Sequence, residues 1–196
     1  MRSEGAELII GARFNGPETT ANGGYACGRL AAFLTEPAEV TLRLPPPLEM
    51  GMTVLVGGDG TTAELHDGEA LVANGKSISG IEAEPPLRPS FAAAPWIPDP
   101  SVTSEENAEL VDPAIVWATL DCTSYVPDMW MTPTVSVLGR MAVQRERQIA
   151  IGERLVGLGW ALGAEGRKRF TASALIEADS GEVVARARSI WIELRG

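Results

Sequence analysis

The chain has 196 residues but only one histidine, two cysteines, two tyrosines and four phenylalanines. The lone histidine, His66, stands just before a Gly turn, where it reads as a surface residue. It has no Ser or Cys partner visible in the sequence, which sets aside a nucleophile–His triad. Cys27 and Cys122 each lie among apolar neighbours in helical patterns, and two such cysteines make neither a disulfide framework nor a metal site. No apolar run reaches the length of a membrane span. The first residues, Met1-Arg-Ser-Glu-Gly-Ala-Glu7, are too acidic and too poor in apolar residues for a secretory leader. The expected setting is the reduced cytoplasm, although an exported chain also fits. Basic residues are scarce: 16 Lys and Arg face 26 Asp and Glu, a net charge of −10. That balance argues against nucleic acid as a bulk partner. Nothing in the sequence calls for a cofactor.

The chain does have an ordinary globular composition, 45% apolar and 21% charged, and one unit of it occurs twice. An apolar helical run over 20–34 is followed by short β-type segments separated by Gly-rich turns. After a Pro-rich stretch, a second helical run over 112–123 precedes four longer β-type segments that end near Glu193. Val40-Thr-Leu-Arg-Leu44, Leu48-Glu-Met-Gly51 and Val54-Leu-Val56 recur as Met141-Ala-Val-Gln-Arg145, Ile149-Ala-Ile-Gly152 and Leu155-Val-Gly157. Asp67-Gly-Glu69 is echoed by Ser180-Gly-Glu182. The order points to a pseudo-dimer of two helix-then-sheet halves, at 1–83 and 105–196, joined by a linker at 84–104. Six prolines fall between 85 and 100, which predicts an extended segment without regular ladders, pinned to the body by Trp96. Asn22 predicts an N-cap for the first helix, and Pro113 suits the first turn of the second. Residues 183–193 alternate as a half-buried antiparallel strand, with Arg186 and Arg188 on one face.

Asn22-Gly-Gly-Tyr25 at a helix start, Trp117-Ala-Thr-Leu-Asp121 on the second helix, and the closing Gly181-Glu-Val-Val-Ala-Arg-Ala187 together resemble the double-hotdog branch of the acyl-CoA thioesterases, the type II acyl-CoA thioesterase-like proteins. The resemblance runs from Phe14 to Glu193. It implies an α+β fold in which two antiparallel sheet halves each wrap a central helix. It also implies hydrolysis of acyl-CoA or related acyl thioesters. Exposed sheet edges and the strongly patterned second half separately point to chains that pair further through their sheets, as homodimers. Glycines at a helix start expose free N–H groups next to the positive end of the helix dipole. Asp121 occupies the helix position of the family's water-activating carboxylate, where the first half has Ala31. The implied composite site therefore sets Asp121 against the amides of Gly23, Gly24 and Tyr25, with Gly24 and Tyr25 counted as catalytic. Asn15, Asn22, Gly23, Trp117, Ser136 and Leu138 complete it as substrate-binding residues. The family supports its Asp with a Thr and a Gln; Leu138 and Ser189 stand at those places here, with Thr134 and Ser136 nearby. Plainer readings stand beside these: Asp121 as a helix-end or amide-binding carboxylate, Asn22-Gly-Gly24 as a cap and a close packing contact, and Tyr25 and Trp117 as core. On the catalytic reading, Gly24→Val is expected to harm turnover more than binding. The alternative function is a catalytically weak or inactive acyl-ligand-binding protein.

Overall fold

The computed structural model describes residues 5–17, 19–85, 91–126, 129, 131 and 134–195. The same series of elements occurs twice. The first comprises β1 (Ala6–Leu8), a 3-10 turn (Ala12–Phe14), α1 (Gly23–Ala31), β2 (Ala38–Leu42), β3 (Met52–Val56), β4 (Thr62–Asp67) and β5 (Ala70–Ser77). The second comprises β6 (Phe91–Trp96), a 3-10 turn (Pro100–Val102), α2 (Pro113–Ser124), β7 (Ser136–Arg145), β8 (Leu155–Glu165), β9 (Lys168–Glu177) and β10 (Val183–Glu193).

These strands form one ten-stranded sheet in the order β1-β3-β4-β5-β2-β7-β10-β9-β8-β6. Its ladders are antiparallel. The order reads as a mirror image about the joint between β2 and β7, where Ala38 to Thr41 pair with Val143 to Arg140. Main-chain hydrogen bonding continues through the joint, so the two antiparallel halves share one continuous sheet. Both helices pack against the inward face of the sheet, where Tyr25, Leu30, Trp117, Leu120, Met141 and Leu175 are buried.

Local sequence accounts for these elements. The Asn22 side chain accepts the Tyr25 N–H at 2.7 Å, and the Asp112 side chain accepts that of Ala114 at 2.7 Å, each meeting an amide the helix start leaves open. The first helix is shorter than the expected 20–34. It tightens after Ala31, where the Phe33 and Leu34 amides donate to Leu30 and Ala31, and Pro37 then removes the helical conformation from its predecessor. The echoed turns are true equivalents. Gly68 between β4 and β5 has φ 56° and Gly181 between β9 and β10 has φ 77°, a conformation glycine adopts without penalty.

The Pro-rich stretch differs from expectation. Residues 91–96 form β6, which pairs with β8 from Phe91↔Trp160 to Trp96↔Leu155. Pro95 sits within this ladder because β6 is the outermost strand and the missing N–H has only to face away from β8. Trp96 packs on the core from there. Before β6, residues 78–85 run as a strap over the outward face of the second half. Ile81 and Ala83 cover Trp160, Ala172 and Ala174. The Ile81 amide donates to Gln144, and Arg186 pairs with Glu84 and Glu146.

Candidate active site

The two helices run antiparallel and touch closely, because glycine stands wherever they cross. A Cβ on Gly24 would lie 2.3 Å from the Asp121 Cβ, and one on Gly28 would lie 2.7 Å from the Ala114 Cα. The closeness brings the second helix's carboxylate onto the start of the first. The Gly24 N–H donates to Asp121 Oδ2 at 2.9 Å. Asp121 Oδ1 has no hydrogen-bond partner among the described residues, and the residue is only 3% exposed. Burial raises the Asp121 carboxyl to about 6, against the Gly24 amide and the Asn22 side chain, which favour the charged form. A carboxylate poised near neutrality suits proton abstraction.

Asp121, Gly24, Asn22 and the Tyr25 amide thus share one small volume. Gly23 borders it: a Cβ there would meet the Leu138 side chain at 3.0 Å and that of Leu42 at 3.3 Å. Ser136 and Leu138 are buried on the same strand. The other expected residues point elsewhere. The Tyr25 ring stacks on Phe14, with centroids 3.8 Å apart, and its backbone N–H is already taken by the cap. Trp117 is fully buried and its indole N–H donates to Glu36 Oε1 at 3.1 Å, while Arg145 holds the other carboxylate oxygen at 2.6 Å. Trp117 is a core residue tying α2 to the turn after α1, and it offers no wall to a ligand. Asn15 is exposed in a one-residue bridge to Ala21, with its side chain toward Gly16. His66 lies on β4 beside Glu64.

Further polar residues lie beneath α2, of which the sequence reading named only Ser189. Ser173 Oγ donates to the Leu120 carbonyl at 2.8 Å, and the Trp191 indole donates to Ser124 Oγ at 3.0 Å. Thr171 and Ser189 lie between these two contacts, facing each other across β9 and β10. Their signal was present in the sequence. Thr171, Ser173 and Leu175 share one strand parity, so the buried face of Leu175 carries the hydroxyls with it.

Two cavities accompany this arrangement. One, of about 380 Å³, lies past the end of α2 and is lined by Val126, Met129, Ala161, Phe170 and Thr171, with Arg169 and Glu193 at its edge. The other, of about 510 Å³, lies on the outward face beside the strap and is lined by Glu39, Arg140, Arg188, Ile81 and Phe170 among others. Thr171 borders both, and Asp121 borders neither. Among the described residues no group of acidic, His or Cys side chains is arranged to hold a metal ion, and no helix is long and apolar enough to cross a membrane.

No protein-family model matches this sequence, and no curated protein matches it. Crystal structures do match its shape. A Lactobacillus plantarum protein provisionally named an oleoyl thioesterase superposes with a TM-score of 0.71 at 12% identity, over 98% of this chain and 97% of that one. A conserved Alicyclobacillus acidocaldarius protein of unknown function, described as a hotdog fold, gives 0.68 at 13% identity over 98% and 94%. An acyl-CoA thioesterase II of Mycobacterium marinum gives 0.59 at 13% identity over 90% of each chain. At these identities the likeness defines the fold: the chain is an α+β protein of the hotdog class.

Proposed function

We propose that the protein hydrolyses acyl-CoA or a related acyl thioester, with Asp121 as the base that activates water at the start of α1. The observation that carries this reading is the divided carboxylate. One oxygen is anchored by the Gly24 amide, while the other, buried, has no partner among the described residues. In that role Oδ1 accepts a proton from water, and the oxygen of that water attacks the thioester carbonyl. The developing oxyanion faces the positive end of α1. Collapse of the adduct breaks the C–S bond, and the thiolate takes up the proton. Two of the structural relatives bear thioesterase names, which supports the same reading.

A second reading has its own observation. The Gly24 amide is engaged by Asp121 and the Tyr25 amide by Asn22. Of the expected oxyanion donors this leaves Gly23, beside the Leu138 and Leu42 side chains. A protein that binds acyl thioesters and turns them over slowly, or not at all, fits that crowding. In either reading the ligand is a small acyl thioester, no cofactor is proposed, and the expected setting is the cytoplasm. On this reading the halves are 1–83 and 105–196, with β6 and the 3-10 turn of the 84–104 segment joining the second half, and pairing of two chains through their sheets is tested by light scattering against the 20.8 kDa chain mass.

The deciding experiment is a panel of short, medium, long and aromatic acyl-CoAs offered to wild type and Asp121→Asn. Hydrolysis by wild type that falls about 100-fold or more in the variant supports the base. Binding of a CoA thioether without hydrolysis of any thioester establishes the binding protein instead. Full activity in Asp121→Asn moves catalysis elsewhere.

A further inference from the structure

Trp117 and Asp121 stand one helical turn apart on α2, so their side chains share a face. Both fill notches left by the glycines of α1. A Cβ on Gly28 would lie 2.9 Å from the Trp117 Cβ, and one on Gly24 would lie 2.8 Å from the Trp117 carbonyl oxygen and 2.9 Å from the Asp121 Cγ. A glycine face has no side chains to interlock with its partner, so a directional bond elsewhere must fix the rotation of α2 about its axis. A rotation of about 20° carries an atom at the rim of a helix, about 5 Å from the axis, through about 2 Å. That displacement parts Asp121 Oδ2 from the Gly24 N–H, which it meets at 2.9 Å.

Trp117 supplies that bond. Its indole N–H donates to Glu36 Oε1 at 3.1 Å, in the turn between α1 and β2. The other Glu36 oxygen accepts the Arg145 Nε–H at 2.6 Å. Arg145 ends β7, which pairs with β2 just after Glu36, from Ala38↔Val143 to Thr41↔Arg140. Glu36 is thereby fixed to the sheet at the joint between the halves, and both of its bonds are charge-assisted. Its side chain is 17% exposed and Trp117 is fully buried, so water competes little for the contact. A chain of printed contacts thus runs from the joint through Glu36 and Trp117 to the turn that bears Asp121. The titratable groups on which the Asp121 charge acts are Cys27 of α1 and Cys122 of α2. Burial first, and that charge second, hold both thiols in the neutral form.

We infer that Trp117 and Glu36 are positioning residues for Asp121: the indole–carboxylate bond sets the rotation of α2 and so seats Asp121 Oδ2 on the Gly24 amide. The inference rests on the proposed role of Asp121 as a base and adds the residues that hold it in place. Neither residue touches the substrate. A base displaced by about 1 Å slows the chemical step while leaving substrate binding intact.

The test follows the Gly24 amide proton by NMR across about pH 4–8, and acyl-CoA hydrolysis in the same proteins: wild type, Trp117→Phe, Glu36→Gln and Trp191→Phe. Phenylalanine keeps an aromatic ring without the N–H. Glutamine leaves one oxygen for two donors, and it alters a partly exposed side chain, so it serves where Trp117→Phe fails to fold. Trp191→Phe removes an equivalent indole bond from the same helix, the one to Ser124. In wild type the amide proton is expected to move downfield with a midpoint near pH 6 as the carboxylate ionises. Trp117→Phe is expected to lose about half or more of that movement and to raise the midpoint, because the charged form loses its donor. Its kcat is expected to fall about tenfold with KM nearly unchanged. Glu36→Gln is expected to show the same changes in smaller measure, and Trp191→Phe none of them. A wild-type amide titration in either Trp117→Phe or Glu36→Gln, however far the melting temperature falls, overturns the inference, as does an equal loss in Trp191→Phe. A wild type that hydrolyses no thioester overturns the proposed chemistry of Asp121 alone, since the amide titration still decides whether Trp117 and Glu36 seat it.

Discussion

Asp121 is the residue on which the proposed chemistry and stability meet. Its carboxyl has a folded value of about 6 against an ordinary 3.8. The folded state therefore holds this proton more tightly than the unfolded chain does. The stabilising contribution of the neutral acid is complete below the ordinary value and is lost as pH rises through the folded one. The gap corresponds to about 3 kcal/mol of preference for the neutral form. Thermal melting across pH 3–8 is thus expected to show a fall between about 4 and 6 that Asp121→Asn lacks, with the variant at least as stable as wild type at pH 8. A variant that melts well below wild type at pH 8 would mark the carboxylate as a structural tie between the helices. Asp121 was legible because a carboxylate in an otherwise apolar helical stretch stands out. Thr171 drew no notice, since only the strand parity it shares with Leu175 marks a threonine there as inward-facing. Trp117 misled for a related reason: helical spacing places it on an inward face, and only the Glu36 contact shows which inward neighbour it meets.

Among the elements, the crossing of α1 and α2 depends on Gly24 and Gly28. The positions their Cβ atoms would occupy hold Asp121, the Trp117 carbonyl and Ala114. The expectation that Gly24→Val would chiefly affect turnover gives way to a packing effect. Gly24→Ala and Gly28→Ala are each expected to cost about 3 kcal/mol in denaturant unfolding, despite the better helix propensity of alanine. Gly23→Ala meets the Leu138 Cβ at 3.0 Å and the Leu138 and Leu42 methyl ends slightly farther out, without the sub-3 Å overlaps at Gly24 and Gly28, and is expected to cost less than either. Equal stability of all three variants would contradict this view of the helix pair. The strap over 78–85 gives a separate check. Ala83 is 3% exposed against Trp160 and Ala174, so Ala83→Asp places a charge in an apolar contact. Faster limited proteolysis within the strap is the expected result, and an unchanged rate would contradict it. The hairpins were readable from Gly-Glu turns because a positive φ demands glycine. The strand at 91–96 was hidden because proline density suggests a linker, whereas an edge strand needs N–H groups on one side only.

At the scale of the whole molecule, the internal repeat foretold the doubled order of elements but not which strands join its halves. Continuity depends on pairing between β2 and β7, two strands about a hundred residues apart whose meeting no local pattern records. The same joint, together with the helix crossing, carries a residue of the second half onto an amide of the first. The halves differ at equivalent positions, since Ala31 and Asp121 stand nine residues after the caps Asn22 and Asp112. The most direct test of the central claim is therefore the pH–rate profile of acyl-CoA hydrolysis by wild type beside Asp121→Asn. The account expects the wild-type rate to rise through pH about 6 as Asp121 ionises, and the variant to run at least 100-fold slower with no such rise. A variant that keeps both the wild-type rate and the rise near pH 6 would contradict it.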